Sequence, residues 1–244
     1  LHEDGYVVLP QAQPGAMVAE ARKKINPHLG EAGIPPDDLP QYRARSYCPD
    51  VQTDAALTDL FNRSPLFDLV ESAFGPGNLL PAKAAQIALR FPNTDDPAKP
   101  PHGHLDGIGT GINGVPKGKF IRNFTALVVV LLSDLHGPTA GNFTVWPGTH
   151  VTAEHYFKHD HPAGEVPDMA AIERPHPPVQ ITGRAGDAVV AHHQLVHGAA
   201  PNATADIRYA AIFRAQHPEA ESNGPDVMTD IWREWPGVRQ AVGV

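Results

Sequence analysis

Three residues of the 244-residue chain have the types and spacing to hold a metal ion. His104 and Asp106 are two residues apart, so in an extended strand both side chains leave the same face. An imidazole beside a carboxylate, completed by a second imidazole from elsewhere, makes the two-histidine, one-carboxylate facial triad, which holds Fe(II) and leaves its other positions open. His197, 91 residues after Asp106, stands at the end of a strand-like run and can supply the second imidazole. In a double-stranded barrel, strands far apart in sequence face one cavity. Arg208 opens the next apolar run. That run is expected to form a hairpin with the strand before His197 and to set the guanidinium deep in the barrel, where it can grip a carboxylate with two parallel hydrogen bonds. The open iron positions call for dioxygen and a bidentate co-substrate. A dicarboxylate with a 2-oxo group chelates through its oxo-acid end and offers its far carboxylate to Arg208.

The elements that would position these residues follow from periodicity and punctuation. Tyr6–Leu9 is a short β-prone run closed by Pro10, and Val18, Ala21 and Ile25 recur at helical spacing. From Gly30 to Asp50 the text is loop-like, with Pro35, Pro36 and Pro40 breaking any helix, and it carries Tyr42, Arg43, Arg45 and Tyr47. Asp54 caps a helix that buries Leu57, Leu60 and Phe61, and Ser64-Pro65 starts another that Gly75-Pro76 ends. Strand patterns then run through Leu79–Phe91, Phe120–Leu132, Phe143–Trp146, Val179–Thr182, Ala188–Ala191 and Arg208–Phe213. The continuous apolar run Leu127–Leu132 suits a strand buried on both faces. Asn93–Pro101 reads as a polar connector, 107–118 as a glycine-rich loop, 151–178 as an extended excursion or lid, and 226–236 as a C-terminal helix capped by Asp226. Helices followed by many short strands predict a mainly β (α+β) chain: a double-stranded β-helix, or jelly roll, with flanking helices. One domain over 1–244 is expected, helical to about 78, with the jelly-roll core at about 79–215.

Composition narrows the function. A net charge of −8 argues against nucleic acid or an anionic membrane as partner, so a small-molecule substrate is expected. No apolar run approaches the roughly 18 residues of a membrane span. The 26 prolines and 22 glycines suit many turns and predict modest helix content. Cys48 stands alone, so no internal disulfide can form, and a reducing, cytoplasmic setting is expected. The chain opens at Leu1-His2-Glu3, without Met or a signal-like segment, and reads as a trimmed N-terminus.

Other polar residues are weighed against simpler roles. Gln86 interrupts an apolar segment and either bonds neighbouring backbone or points at a ligand. His102 could pair with His104, but without a carboxylate. His192 and His193 would alternate faces, so at most one can reach a cavity. The histidines from His155 to His161 read as a solvated surface group, and Trp146 as core. From the residues alone three readings stay open: an oxygenase using a 2-oxo acid, a non-haem metalloenzyme that uses none and grips a substrate carboxylate with Arg208, and a jelly-roll binding protein without turnover.

A resemblance joins these pieces. Glu3-Asp4-Gly5-Tyr6-Val7-Val8-Leu9-Pro10, His104-Leu105-Asp106, the stretch Gly141–His150 with its Pro-Gly-Thr-His end, Gly186-Asp187, and His197-Gly198 followed by Pro201-Asn202 and Arg208 stand in the order of the phytanoyl-CoA dioxygenase (PhyH-like) family. The chain resembles these Fe(II)/2-oxoglutarate-dependent oxygenases over roughly 1–215. The resemblance implies His104, Asp106 and His197 as iron ligands and Arg208 as partner of the 2-oxoglutarate C5 carboxylate. It places Gln86 near co-substrate or substrate. Where relatives carry a polar or aromatic co-substrate contact on the central strand, this chain has Val128–Leu131, which leaves Asn123 and Thr125 as candidates for the oxalyl end. It further implies oxidative decarboxylation of 2-oxoglutarate to succinate and CO2, with O2 as oxidant. Halogenating relatives replace the triad carboxylate with a small residue, so Asp106 points to hydroxylation. The loop Arg43–Tyr47 and the 151–178 excursion are expected to shape the substrate pocket, with the arginines suiting an acidic substrate.

Overall fold

The computed structural model describes residues 1–30, 33–93 and 101–243. The connector expected at Asn93–Pro101 lies, apart from its two ends, outside the described residues. Among the described residues eight strands form two antiparallel sheets. The larger is built from β1 (Tyr6–Leu9), β2 (Gln86–Arg90), β3 (Ala126–Leu131), β6 (Ala188–His192) and β8 (Arg208–Ala215), in the order β1-β6-β3-β8-β2. The smaller holds β4 (Phe143–Val145), β5 (Val179–Gln180) and β7 (His197–Ala199), in the order β5-β4-β7.

β3 shows why the sheets face each other. All six of its residues are buried, and their alternation divides them between two apolar layers. Leu127, Val129 and Leu131 join Phe143 and Val145 of the small sheet in an inner layer. Val128 and Val130 turn outward, against a layer made by helices. Those helices are α1 (Gly15–Ile25), α3 (Ala55–Asn62) and α4 (Pro65–Phe74). They bring Ile25, Leu57, Phe61, Leu66 and Phe74, each fully buried. Burying a side chain of this size stabilises the fold by about 1.5–3 kcal/mol, so the outer layer is a main source of stability. Asp54 accepts a hydrogen bond from Ala56 N at 2.9 Å and Ser64 one from Leu66 N at 3.3 Å, the two expected caps. Each contributes roughly 1 kcal/mol.

Several expectations are corrected. Residues in α-helices outnumber those in strands, so the chain is α+β and not mainly β. β8 does not form a hairpin with β6, because β3 lies between them and pairs with both. Pro40 starts a helix where it was expected to break one: in α2 (Leu39–Ala44) it occupies the first turn, where a missing N–H costs nothing. The excursion after His150 opens with α5 (Thr149–His159), whose Ala153, Tyr156 and Phe157 bury one face under a polar composition that masks the periodicity. No α-helix runs over 226–236. Gly224–Met228 is a single 3-10 turn, and α7 starts only at Pro236 (Pro236–Val242), after the four-residue α6 (Ala220–Asn223). A residue before proline is pushed out of the helical region, and Trp235 sits at φ −125°, ψ 50°. Among the described residues no helix is long and apolar enough to cross a membrane.

A buried polar network closes the C-terminal end. Glu234, 1% exposed, accepts hydrogen bonds from Arg122 on both carboxylate oxygens, from Thr125 Oγ1, and from Asn223 Nδ2 at 3.0 Å. Its carboxyl is raised by burial, but Arg122, Thr125 and Asn223 outweigh this and hold it below the ordinary carboxylate value.

Candidate metal centre

His104, Asp106 and His197 meet at the floor of a cavity of about 980 Å³. Their ligand atoms lie within 4.8 Å of one another. His104 Nε2 is 3.4 Å and His197 Nε2 3.6 Å from Asp106 Oδ1. The local architecture differs from two ligands on one strand. His104 makes a one-residue antiparallel bridge to His197, with N–H to carbonyl bonds of 2.9 and 3.0 Å in the two directions. Asp106 stands two residues on, in the turn that leaves this bridge. The bridge requires Gly198: a Cβ there would meet the His102 carbonyl oxygen at 2.3 Å. Backbone cannot yield as a flexible side chain does. Gly198→Ala should therefore push residues 102–104 away and weaken iron binding by about tenfold or more, measured by Fe(II) titration with thermal melting as the check on folding.

The donor set suits a divalent ion. His197 Nδ1 faces the Leu195 carbonyl at 3.0 Å. A carbonyl only accepts, so Nδ1 donates there and Nε2 is the ring atom turned to the ligand cluster. The His104 ring is held below the ordinary imidazole value by loss of solvation, with His197 and His102 adding to the shift against Asp106, so it is neutral and free to ligate. Burial pushes the Asp106 carboxyl up. Arg214 and the two imidazoles more than reverse this and hold it well below the carboxylate range. Two imidazoles, one carboxylate and an open cavity side fit divalent iron, with room for exogenous ligands.

The other expected residues divide. Arg208 lines the cavity and is 5% exposed. Its Nε donates to Gly141 O at 2.8 Å and its Nη1 to Ala88 O at 3.0 Å, and among the described residues no carboxylate pairs with it. Burial, with Arg90 adding, pushes it down to about 9. A guanidinium keeps its proton at neutral pH, so Arg208 is a buried cation lining the cavity. Gln86 also lines the cavity and accepts from Arg214 Nη1 at 2.9 Å, and Asn123 lines it too. Thr125 does not. A bend at Thr125 resets the alternation, so Phe124 takes the inward place and Thr125 is buried against Glu234 and His217 N. It is withdrawn as a co-substrate contact.

His192 Nε2 donates to Ile231 O at 2.9 Å and its ring packs against Trp232 and Trp235, while the buried His193 packs on His192; neither lines the cavity. His102 lines the cavity outside the ligand set. Cys48 is buried, and burial followed by Asp50 pushes its thiol up to about 11, which removes it as a nucleophile. Arg43, Arg45 and Tyr47 line the cavity as expected, whereas Tyr42 stacks behind on Tyr47. Met169 is the excursion's contribution. Arg214 and Arg90 were not foreseen. Ending the last strand at Phe213 hid Arg214, although a residue six beyond Arg208 on a strand shares its face. It donates to Asp106 Oδ2 at 2.9 Å.

A fold of two facing antiparallel sheets with a His-x-Asp…His cluster in its cavity defines a class of metal-dependent oxygenases, and comparison with known proteins agrees. The chain belongs to the phytanoyl-CoA dioxygenase (PhyH) family, whose model matches residues 1–210. Solved structures share the fold at low identity. The epimerase SnoN, in complex with Fe3+, alpha ketoglutarate and nogalamycin RO, is 21% identical with a TM-score of 0.56, covering 88% of this chain and 80% of that one. The carbocyclase SnoK from nogalamycin biosynthesis is 19% identical, with a TM-score of 0.55 and coverage of 88% and 81%. EctD from S. alaskensis, with 2-oxoglutarate and 5-hydroxyectoine, is 19% identical, with a TM-score of 0.56 and coverage of 89% and 74%. No curated protein matches the sequence.

Proposed function

We propose that this chain is an Fe(II)/2-oxoglutarate-dependent dioxygenase that hydroxylates a small molecule. One observation carries the reading: a facial-triad donor set and a buried arginine with no carboxylate partner among the described residues line the same cavity. The two sheets are read as the walls of a double-stranded β-helix and residues 1–244 as one domain, supported by the shared inner layer and the family match. The single buried thiol suits a reducing, cytoplasmic setting.

His104, Asp106 and His197 would hold the iron. Bound iron would supply the redox chemistry by which one O2 converts R–H and 2-oxoglutarate into R–OH, succinate and CO2. The protein's share is geometric and electrostatic. Arg208 holds the far carboxylate of the co-substrate and so fixes where its oxo-acid end reaches. Arg214 pins Asp106 Oδ2 and keeps the carboxylate ionised and oriented. Gln86 in turn fixes the Arg214 fork. Asn123 is the remaining polar candidate near the oxalyl end. The apolar wall Phe124, Leu127 and Val129 keeps bulk water from the reacting centre.

The test is succinate release from 2-oxoglutarate with Fe(II) and O2. Wild-type protein should produce succinate, and Asp106→Ala should lose both iron binding and turnover. A wild type that binds iron yet neither binds nor consumes 2-oxoglutarate would sink the reading in favour of a metalloenzyme using Arg208 on its substrate.

A further inference from the structure

The cavity holds more positive charge than a 2-oxo dicarboxylate needs. Arg43, Arg45, Arg90, Arg208 and Arg214 line it, against one carboxylate among the described residues, Asp106. On the reading above, a divalent ion, Asp106, a doubly charged co-substrate and Arg208 sum to zero. The other four arginines remain in excess.

Among these, Arg90 has a distinct position. It is half-buried and stands directly opposite Arg208 across the β2–β8 pair. Arg45 Nε is tied to Ile112 O at 2.8 Å and Arg214 to Gln86 and Asp106, but among the described residues the Arg90 guanidinium has no hydrogen bond or ion pair. The backbone at Gly141 lies against both side chains: a Cβ there would meet Arg90 Cβ at 2.7 Å and Arg208 Cβ at 3.3 Å. With φ at +74°, Gly141 admits no other residue without strain and fixes how the two arginines leave their strands. A second, independent feature points to a ligand. Tyr47 is 1% exposed, lines the cavity, and its Oη is buried without a partner among the described residues. Like charges facing each other on neighbouring strands are destabilising, and a buried hydroxyl without a partner costs about 1–3 kcal/mol. An anion placed between them relieves both.

We propose that Arg90 and the Tyr47 hydroxyl, with Arg43 at the cavity mouth, form a subsite for an anionic group on the substrate, a carboxylate or a phosphate. The subsite adjoins the co-substrate anchor at Arg208 and is distinguished from it by the ligand it takes, and the assignment rests on the functional reading above. Burial and the nearby Arg43 both hold Arg90 below its ordinary value, consistent with a cation awaiting a counter-charge.

The experiment uses Ni(II)-loaded protein saturated with 2-oxoglutarate, which binds without turning over, and titrates hexanoate, hexyl phosphate and 1-hexanol by calorimetry. At least one anion should bind about tenfold tighter than the alcohol, as a charge-assisted hydrogen bond implies, and whichever is tighter identifies the group. Arg90→Gln should erase that preference and leave 2-oxoglutarate affinity within about twofold, while Arg90→Lys should keep part of it. Equal binding of all three probes overturns the proposal. So does an Arg90→Gln variant that loses 2-oxoglutarate, since Arg90 would then belong to the co-substrate anchor. Repeating the titration on metal-free protein separates this subsite from the functional reading: the anion preference should survive Arg208→Ala and vanish in Arg90→Gln, even if nickel or 2-oxoglutarate fails to bind.

Discussion

Arg208→Ala should raise the apparent KM for 2-oxoglutarate by about a hundredfold, or roughly 3 kcal/mol, with Fe(II) affinity changed by less than about twofold. The guanidinium is buried and its Nε and Nη1 are committed to Gly141 O and Ala88 O, which aims the group without neutralising it. A carboxylate arriving there replaces water with a charged partner in a low-dielectric wall, where such bonds are strongest. The triad lies on other elements, the His104–His197 bridge and the turn after it, so truncating Arg208 leaves those ligands where they are. Steady-state succinate assays and Fe(II) titration measure the two quantities separately. Equal loss of both would contradict the assignment. Thermal melting gives a further reading: 2-oxoglutarate at a hundred times its Kd should stabilise the metal-loaded wild type by about 2.7 kcal/mol, and the variant hardly at all at the same concentration.

Glu234→Ala should lower the melting temperature by about 10 °C while leaving the three metal ligands in place. The Arg122–Glu234 pair is buried on both sides, at 4% and 1% side-chain exposure. Removing one member leaves an uncompensated buried charge, which costs about 3–5 kcal/mol, and a domain of this size loses roughly 2–4 °C per kcal/mol. The network also makes stability fall in acid. Glu234 has a folded value below its unfolded one, so its contribution is full above the unfolded value near ~4.3. It is lost as pH falls through the folded value. Denaturant melts of wild type and Glu234→Gln between pH 3 and 7 should converge at the acid end. Curves that stay parallel would remove Glu234 as the source.

The triad was legible because its chemistry needs particular residue types, and His104, Asp106, His197 and Arg208 carry that need in one dimension. Helix caps were equally readable: Asp54 and Ser64 act through neighbours two residues away. Strand pairing was not. Nothing local in Arg208–Ala215 says that its neighbours are β2 and β3, because partner choice is decided by which apolar faces must share a layer. Thr125 was misplaced because a single bend shifts the alternation by one and turns every inference about facing side chains. Nothing local in the sequence marks Arg90. Its meaning appears only once Arg208 is seen across from it and Gly141 against both.

β1 has a role that does not concern catalysis. Its four residues pair with β6 nearly two hundred positions later, Tyr6 with Ala191 through Leu9 with Ala188. Such non-local closure is slow, so β1 is docked only after the much later β6 has been made. Until then the far side of β6 is an open row of amides and carbonyls on a segment of alanine, valine and histidine, the kind of edge that recruits another chain. Tyr6–Leu9 covers that row, and the edge of the sheet passes to β1 itself. A chain without residues 1–10 would keep every ligand of the candidate metal centre and leave the β6 edge uncovered.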